Sequence, residues 1–324
     1  MYFTAKKFSP KTLLSIFLRT ILLIVLLSIL VTTYVFYVWF NSTILKDLPS
    51  IEKLSINSLN QTSKIYDDKD ALMYSTFLNE NRSIVKNEQI PKTLKEAVIS
   101  IEDKDFYTHK GFSFKGILRA LKKNVSTSSI VQGGSTVTQQ LVKNTLLTQE
   151  RTIERKLKEV ILAFKVENSF TKDEILKIYL NTVNFGSTAY GVEAASQMYF
   201  RKPVSQLNLS ESTLLASLPA APSNLSPYNH PEKLKFRQSL VLSRMVDDQK
   251  LTSLQATQAY KKEVKIYQPI RNISNPHFTN YVLNYLTDKY GKRTINQGGL
   301  KIYTTINNDM QNYVQEVVKK EVKK

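Results

Sequence analysis

The sequence predicts a mainly α-helical fold behind a single N-terminal transmembrane helix, with small β elements near residues 64–85 and in the C-terminal segment. Three observations carry that expectation. Thr20 to Phe40 is an uninterrupted uncharged stretch, apolar residues recur at helical spacing through the middle of the chain, and period-two alternation is confined to short pieces. With 324 residues and 42% hydrophobic content, the chain can bury one sizeable core and a small module beside it.

The first element is the apolar stretch TILLIVLLSILVTTYVFYVWF, long enough as a helix to cross a hydrocarbon core of roughly 30 Å. Lys6, Lys7, Lys11 and Arg19 precede it, and Tyr34, Tyr37 and Trp39 crowd its far end. The basic side is therefore expected in the cytoplasm and the aromatic end at the outer interface, with the rest of the chain outside. The run is too long for a cleaved signal peptide, and no small-x-small site follows Phe40. Residues 1–19 are then a basic cytoplasmic N-terminus, 20–40 the anchor, and 41–60, polar and containing Pro49, a stalk.

From Lys64 to Val85 alternating pieces around Ser63–Tyr66 and Leu72–Tyr74 flank the Asp67–Asp70 cluster, as in a small hairpin. A helix follows Pro91, carrying Leu94, Ala97, Val98 and Ile101 on one face and ending at Glu102-Asp103. Ile153, Leu157, Val160, Ile161 and Phe164 form a second helical stripe, expected to be a core face. A third helix begins after Thr171, with Glu174 completing a capping box. Six of the nine glycines fall between Gly111 and Gly191, so tight turns and close approaches cluster in one third of the chain. A site is expected there.

Charge and composition narrow the chemistry. Forty-five Lys and Arg against 27 Asp and Glu give +18, which favours an anionic partner. Nucleic acid fits poorly, because the anchor places the domain outside the cell. The absence of cysteine excludes disulfides, thiolate metal sites and a cysteine nucleophile.

Three constellations could carry chemistry. Glu102-Asp103-Lys104-Asp105-Phe106 with His109 and Gly111 packs carboxylates and a histidine past a helix end, where general acid or base work is done and where solvated charge clusters also occur. Gln132-Gly133-Gly134-Ser135-Thr136, followed by Gln139, Gln140, Lys143 and Asn144, offers backbone N–H groups and a lysine to phosphate oxygens, without P-loop spacing. Arg151 through Glu159 is basic, and Arg155 and Glu159 are at ion-pair spacing on a helix. Phe112, Phe114, Ile117, Leu118 and Leu121 alternate with Lys115, Arg119, Lys122 and Lys123, a pattern suited to an anionic membrane surface.

Taken together, these stretches resemble glycosyltransferase family 51, the peptidoglycan glycosyltransferase domain of class A penicillin-binding proteins and monofunctional transglycosylases. Glu102-Asp103 through Phe106, His109 and Gly111 resembles E-D-x-x-F-x-x-H-x-G. Gly134 through Asn144 resembles G-x-S-T-[IV]-T-Q-Q-L-x-K-N, and Arg155 through Glu159 resembles R-K-x-x-E. Ile175 through Asn181 with Phe185-Gly186 and Tyr190-Gly191-Val192 resembles I-L-E-x-Y-L-N…F-G…Y-G-[VI]. Leu214 through Pro219 with Ala221-Pro222 and Ser226-Pro227 is the fifth. Lys177 departs from the usual glutamate, and Arg201 stands where glycine is common.

The resemblance implies a lysozyme-like glycosyltransferase domain over residues 61–250, working on lipid II and the growing glycan strand at the bacterial cell membrane. It implies Glu102 as general base in an inverting reaction and Glu159 as a second catalytic carboxylate. Lys143, Arg151 and Arg155 would face the pyrophosphate. Asp103, Phe106, His109, Ser135, Thr136, Gln139, Gln140 and Asn144 would complete the substrate site. Mg2+ or Mn2+ assistance is allowed, with cationic side chains as the substitute, and other cell-wall synthesis proteins are conceivable partners.

Asn275-Pro276-His277-Phe278 and Gly298 through Ile306 resemble a linker towards a transpeptidase domain, so 251–324 is read as that linker. Ser50-Ile51-Glu52-Lys53 and Ser83-Ile84-Val85-Lys86 match S-x-x-K by chance and no K-[ST]-G occurs, so neither transpeptidase activity nor penicillin binding is expected of this chain. Two rivals remain: a glycan-cleaving enzyme of the same fold, and a truncated anchor or scaffold. The second predicts an unpaired strand at Ile302–Ile306.

Overall fold

The computed structural model describes residues 10–56, 59–77, 80–113, 134–148, 150, 152–269 and 274–322. The chain divides into two compact units, Met1–Pro49 with Glu150–Lys158, and Ser50–Gln149 with Glu159–Lys324. In the first unit, α1 runs Pro10–Trp39 and continues as a π-helical turn, Phe40–Leu45. Leu14–Leu45 is long and apolar enough to cross a membrane, and its apolar 18-residue window has mean hydropathy 2.7 and no buried residue. Serine and threonine hydroxyls in its middle bond back to the helix, as a lipid setting favours: Ser28 donates to the Val25 carbonyl, Thr32 to Ser28 and Thr33 to Ile29. Phe36 packs on Trp39 and Phe40 at its aromatic end.

The second unit opens with β1 (Ser63–Tyr66) and β2 (Leu72–Thr76), the antiparallel hairpin expected from the sequence. Asp67 builds the turn: Oδ1 accepts from the Lys69 and Ala71 amides, and Asp70 takes φ 60°. A short β3 (Asn81–Arg82) then pairs parallel with β4 (Ala189–Tyr190), more than a hundred residues on.

The helical body comprises α2 (Lys92–Glu102), α3 (Val137–Thr145), α4 (Ile153–Ser169), α5 (Lys172–Thr182), α6 (Val192–Phe200), α7 (Leu209–Ala216), α8 (Pro231–Asp247) and α9 (Ser253–Lys261). Leu94, Ala97, Val98 and Ile101 are buried on α2 as expected, against α7 and α8. The faces of α3 and α5 meet through Leu141 and Val142 on one side and Ile175, Ile178 and Tyr179 on the other. Burying side chains of this size contributes about 1.5–3 kcal/mol each, so this packing fixes the angle at which both helices approach the cleft.

Among the described residues capping boxes set four α-helix starts: Thr136 with Gln139 on α3, Thr171 with Glu174 on α5, Asn208 with Glu211 on α7, and Thr252 with Gln255 on α9. Arg201, at the end of α6, adopts the left-handed conformation (φ 54°) that glycine takes without strain, and its guanidinium lies 4.7 Å from the Tyr267 ring centroid.

Two expectations are corrected. The stripe Ile153, Leu157, Val160, Ile161 and Phe164 is not a core face: Ile153 is 81% exposed and Phe164 45%, while Glu159, Leu162, Ala163 and Val166 are buried. The period was right and the phase wrong, because this helix turns a carboxylate inward. The C-terminal segment is not unpaired either. After α10 (Pro276–Tyr290) and α11 (Lys292–Gln297), β5 (Lys301–Tyr303) joins the hairpin in parallel, Ile302 opposite Ile65, giving the order β2-β1-β5. α12 (Asn308–Val322) closes the described chain, tied to the hairpin turn by Asn308 Nδ2 donating to Asp67 Oδ2.

Candidate active site

Glu102 is the last residue of α2. Asp103 ends the helix by turning extended, which leaves the Glu102 side chain at the rim of a cleft of about 570 Å³. The cleft is bounded by Glu80 and Arg82 from the β3 region, Tyr190 from β4, Asn184, Ser135, the Gln140–Lys143–Asn144 face of α3, the Pro219–Pro222 loop, and Arg237 and Arg244 of α8. Residues 140, 143 and 144 share one face of α3 by helical spacing, and Arg237 and Arg244 stand two turns apart on α8.

Glu102 is held from two sides. Gln140 Nε2 donates to Oε2 at 2.7 Å, and Tyr179 Oη donates to Gln140 Oε1 at 3.0 Å. Arg237 Nη2 lies 3.7 Å from Oε1, an ion pair too long for a hydrogen bond. Oε1 is buried and accepts no hydrogen bond from the described protein. Burial first, and then the charges of Glu102 and Asp103, push the Tyr179 phenol well above its ordinary value, so it remains a donor. On the cationic side, Arg82 is sandwiched between its ion pair to Glu80 at 2.8 Å and the Tyr190 ring, and Arg244 donates to the Ile101 carbonyl.

Several residues expected at the substrate site are tied to one another by hydrogen bonds within the protein. Asp103 accepts from the Val137 amide at 2.9 Å, and His109 Nε2 sits 2.9 Å from both its oxygens. The Gly111 amide donates to His109 Nδ1, which assigns the ring proton to Nε2. Thr136 caps α3 and donates to the Gly111 carbonyl, with Gln139 closing the box. Phe106 is fully buried, with the Lys172 ammonium 4.6 Å from its ring centroid. Gly111 is required here: at φ +87° a Cβ would come within 2.9 Å of the Ala163 backbone.

Ser135, Gln140, Lys143 and Asn144 line the cleft with Glu102. Glu159 is buried on α4, Arg155 belongs to the other compact unit, and Arg151 lies outside the described residues, as do Gln132, Gly133 and residues 114–123. Sequence reasoning missed Glu80, Arg82, Asn184, Tyr190, Arg237 and Arg244. The two α8 arginines were detectable as a seven-residue repeat on one helical face; the β3–β4 contributors were not, since only non-local strand pairing brings them in. As to Mg2+ or Mn2+, no group of three acidic or histidine side chains converges among the described residues, and the two cleft acids are accompanied by four cations. That donor set does not fit a resident divalent ion.

Residues 70–246 match the family described as Transglycosylase. The chain belongs to the transglycosylase family. That family is glycosyltransferase family 51, and the described residues are mainly helical, as the sequence predicted. Relatives of this transglycosylase chain include penicillin-binding protein 1A of Aquifex aeolicus (strain VF5), 40% identical over 303 residues, covering 94% of this chain and 42% of that protein. The same-named proteins of Neisseria gonorrhoeae and Clostridium perfringens (strain 13 / Type A) are 38% and 39% identical; the alignments cover 84% and 85% of this chain but 34% and 44% of those proteins. The transglycosylase chain thus spans less than half the length of these relatives. The crystal structure of penicillin-binding protein 1A from Haemophilus influenzae superposes with TM-score 0.46 at 23% identity, over 80% of this chain and 28% of that one.

Proposed function

We propose that this chain is a membrane-anchored peptidoglycan glycosyltransferase that polymerises lipid II into β-1,4 glycan strands on the outer face of the cytoplasmic membrane. The observation that carries the reading is Glu102 Oε1, buried at a cation-lined cleft with no hydrogen-bond donor among the described residues. A general base has to come within about 2.6–3.2 Å of the hydroxyl oxygen whose proton it takes, and Oε1 is the carboxylate oxygen that no described donor occupies.

In the proposed step the acceptor sugar's 4-hydroxyl gives its proton to Glu102 as its oxygen bonds to the donor's anomeric carbon. The bond from that carbon to the pyrophosphate breaks on the opposite face, so configuration inverts and undecaprenyl pyrophosphate leaves with the electron pair. Negative charge grows on the departing oxygen, where Lys143, with Arg151 and Arg155, would stabilise it; preorganised cations are worth most where water is excluded. Ser135 and Asn144 line the same cleft. Asp103, His109, Thr136 and Gln139 act at one remove by fixing α3. Glu159 is assigned the second carboxylate role by analogy with the family. The lipid-linked substrate accounts for the apolar helix, whose basic N-terminal flank favours a cytoplasmic start and an outer catalytic domain.

The test is to incubate full-length chain in detergent with labelled lipid II, and separately with preformed glycan. Long muramidase-sensitive polymer from the first and no shortening of the second supports the transferase; cleavage of preformed glycan without polymer overturns it in favour of a hydrolase.

A further inference from the structure

We propose that Tyr179 is a positioning residue for the glycosyl-transfer base, acting through Gln140 to orient the Glu102 carboxylate. This rests on the reading of Glu102 as base and adds a residue that touches neither sugar nor phosphate.

The argument is geometric. Tyr179 lies on α5 with no solvent exposure, and α5 packs directly on α3, which carries Gln140. The hydroxyl donates to Gln140 Oε1 at 3.0 Å, and Gln140 Nε2 donates to Glu102 Oε2 at 2.7 Å. An amide offers a donor and an acceptor that exchange places when it flips. An ionised carboxylate tolerates only the donor, so the amide nitrogen must face Glu102, and its oxygen must then find a donor on the other side. Tyr179 supplies that donor, and its raised phenol keeps the proton at any ordinary pH.

The chain of two hydrogen bonds therefore runs one way, from Tyr179 to Gln140 to Glu102. It occupies Oε2 and leaves Oε1 without a described donor, the Arg237 guanidinium 3.7 Å away. It also tolerates the reaction: once Oε1 is protonated, Oε2 still accepts from Gln140, so neither amide nor phenol has to move. Without the phenol, either amide orientation leaves a polar group of Gln140 unpaired or turned against the carboxylate, and the base loses its fixed aim. Misplacement of a reacting group by about 1 Å can cost on the order of a hundredfold in rate.

The experiment is a double-mutant cycle on full-length protein polymerising lipid II, using Tyr179→Phe, Gln140→Met and the double variant, with kcat and KM measured separately and thermal midpoints recorded. Each single variant is expected to lower kcat by about tenfold to a hundredfold with KM within about twofold, and the double variant to be no slower than Gln140→Met. Wild-type kcat in Tyr179→Phe, or effects that multiply in the double variant, would overturn the proposal. If Tyr179→Phe does not fold, Gln140→Met decides alone, with wild-type kcat sinking the idea. Glu102→Gln separates the two levels: activity retained there removes the base assignment itself, whereas a dead Glu102→Gln beside a multiplicative cycle removes only Tyr179.

Discussion

Glu102 and Asp103 are neighbours in sequence with opposite orientations. One ends α2 facing the cleft; the other turns back to hold the Val137 amide and the His109 ring. Lys143, one turn beyond Gln140 on the cleft wall, forms no ion pair with a described residue. Replacing it with alanine is expected to lower kcat/KM by on the order of a hundredfold in a lipid II assay, with the thermal midpoint unchanged. Gly191 makes a contrasting case. At φ +81° a Cβ would lie 2.7 Å from the Asn181 carbonyl oxygen, so Gly191→Ala should cost more than about 2 kcal/mol by denaturant unfolding, through strain and clash together. The motif residues were legible because each repeats a family pattern. Their division into cleft-lining and internally bonded residues was not, because helical spacing does not reveal which of two adjacent carboxylates the helix end turns inward.

Among the elements, α2 and α5 follow their apolar period closely, α5 with the expected cap at Thr171, while α4 does not. Its stripe from Ile153 to Phe164 satisfies the same spacing as a core face, yet the buried side carries Glu159. Periodicity measures how often apolar residues recur, and a buried carboxylate shifts the face without disturbing the count. The β2-β1-β5 sheet was half visible: the hairpin follows from local alternation, whereas the return of residues 301–303 needs a contact across most of the chain. Asp67 joins both parts. Burial alone would raise its carboxyl, but the amides of Ala71 and Lys69, Asn308 and the Lys69 charge outweigh burial and hold it below the ordinary 3.8. A depressed carboxylate contributes stability above its unfolded value and loses it as pH falls through the folded one. The stability difference between wild type and Asp67→Asn is therefore expected to be full at neutral pH and to shrink below 3.8, by thermal midpoints across pH.

For the whole molecule, the proposed function gives the +18 charge, the apolar helix and the cationic cleft one common use, gripping an anion tethered to a membrane. Charge excess was readable from composition; its concentration as Arg82, Lys143, Arg237 and Arg244 in one cleft with Glu80 and Glu102 required the fold. Screening acts over about 8 Å at physiological ionic strength, so KM for lipid II is expected to rise with added salt more than kcat falls; a salt-independent KM would argue against an electrostatic grip on the pyrophosphate. The most direct measurement compares Glu102→Gln with the parent chain, recording lipid II binding and polymerisation side by side. The account predicts that the variant binds lipid II about as tightly and forms no glycan. Long polymer from Glu102→Gln at a rate near that of the parent would contradict it.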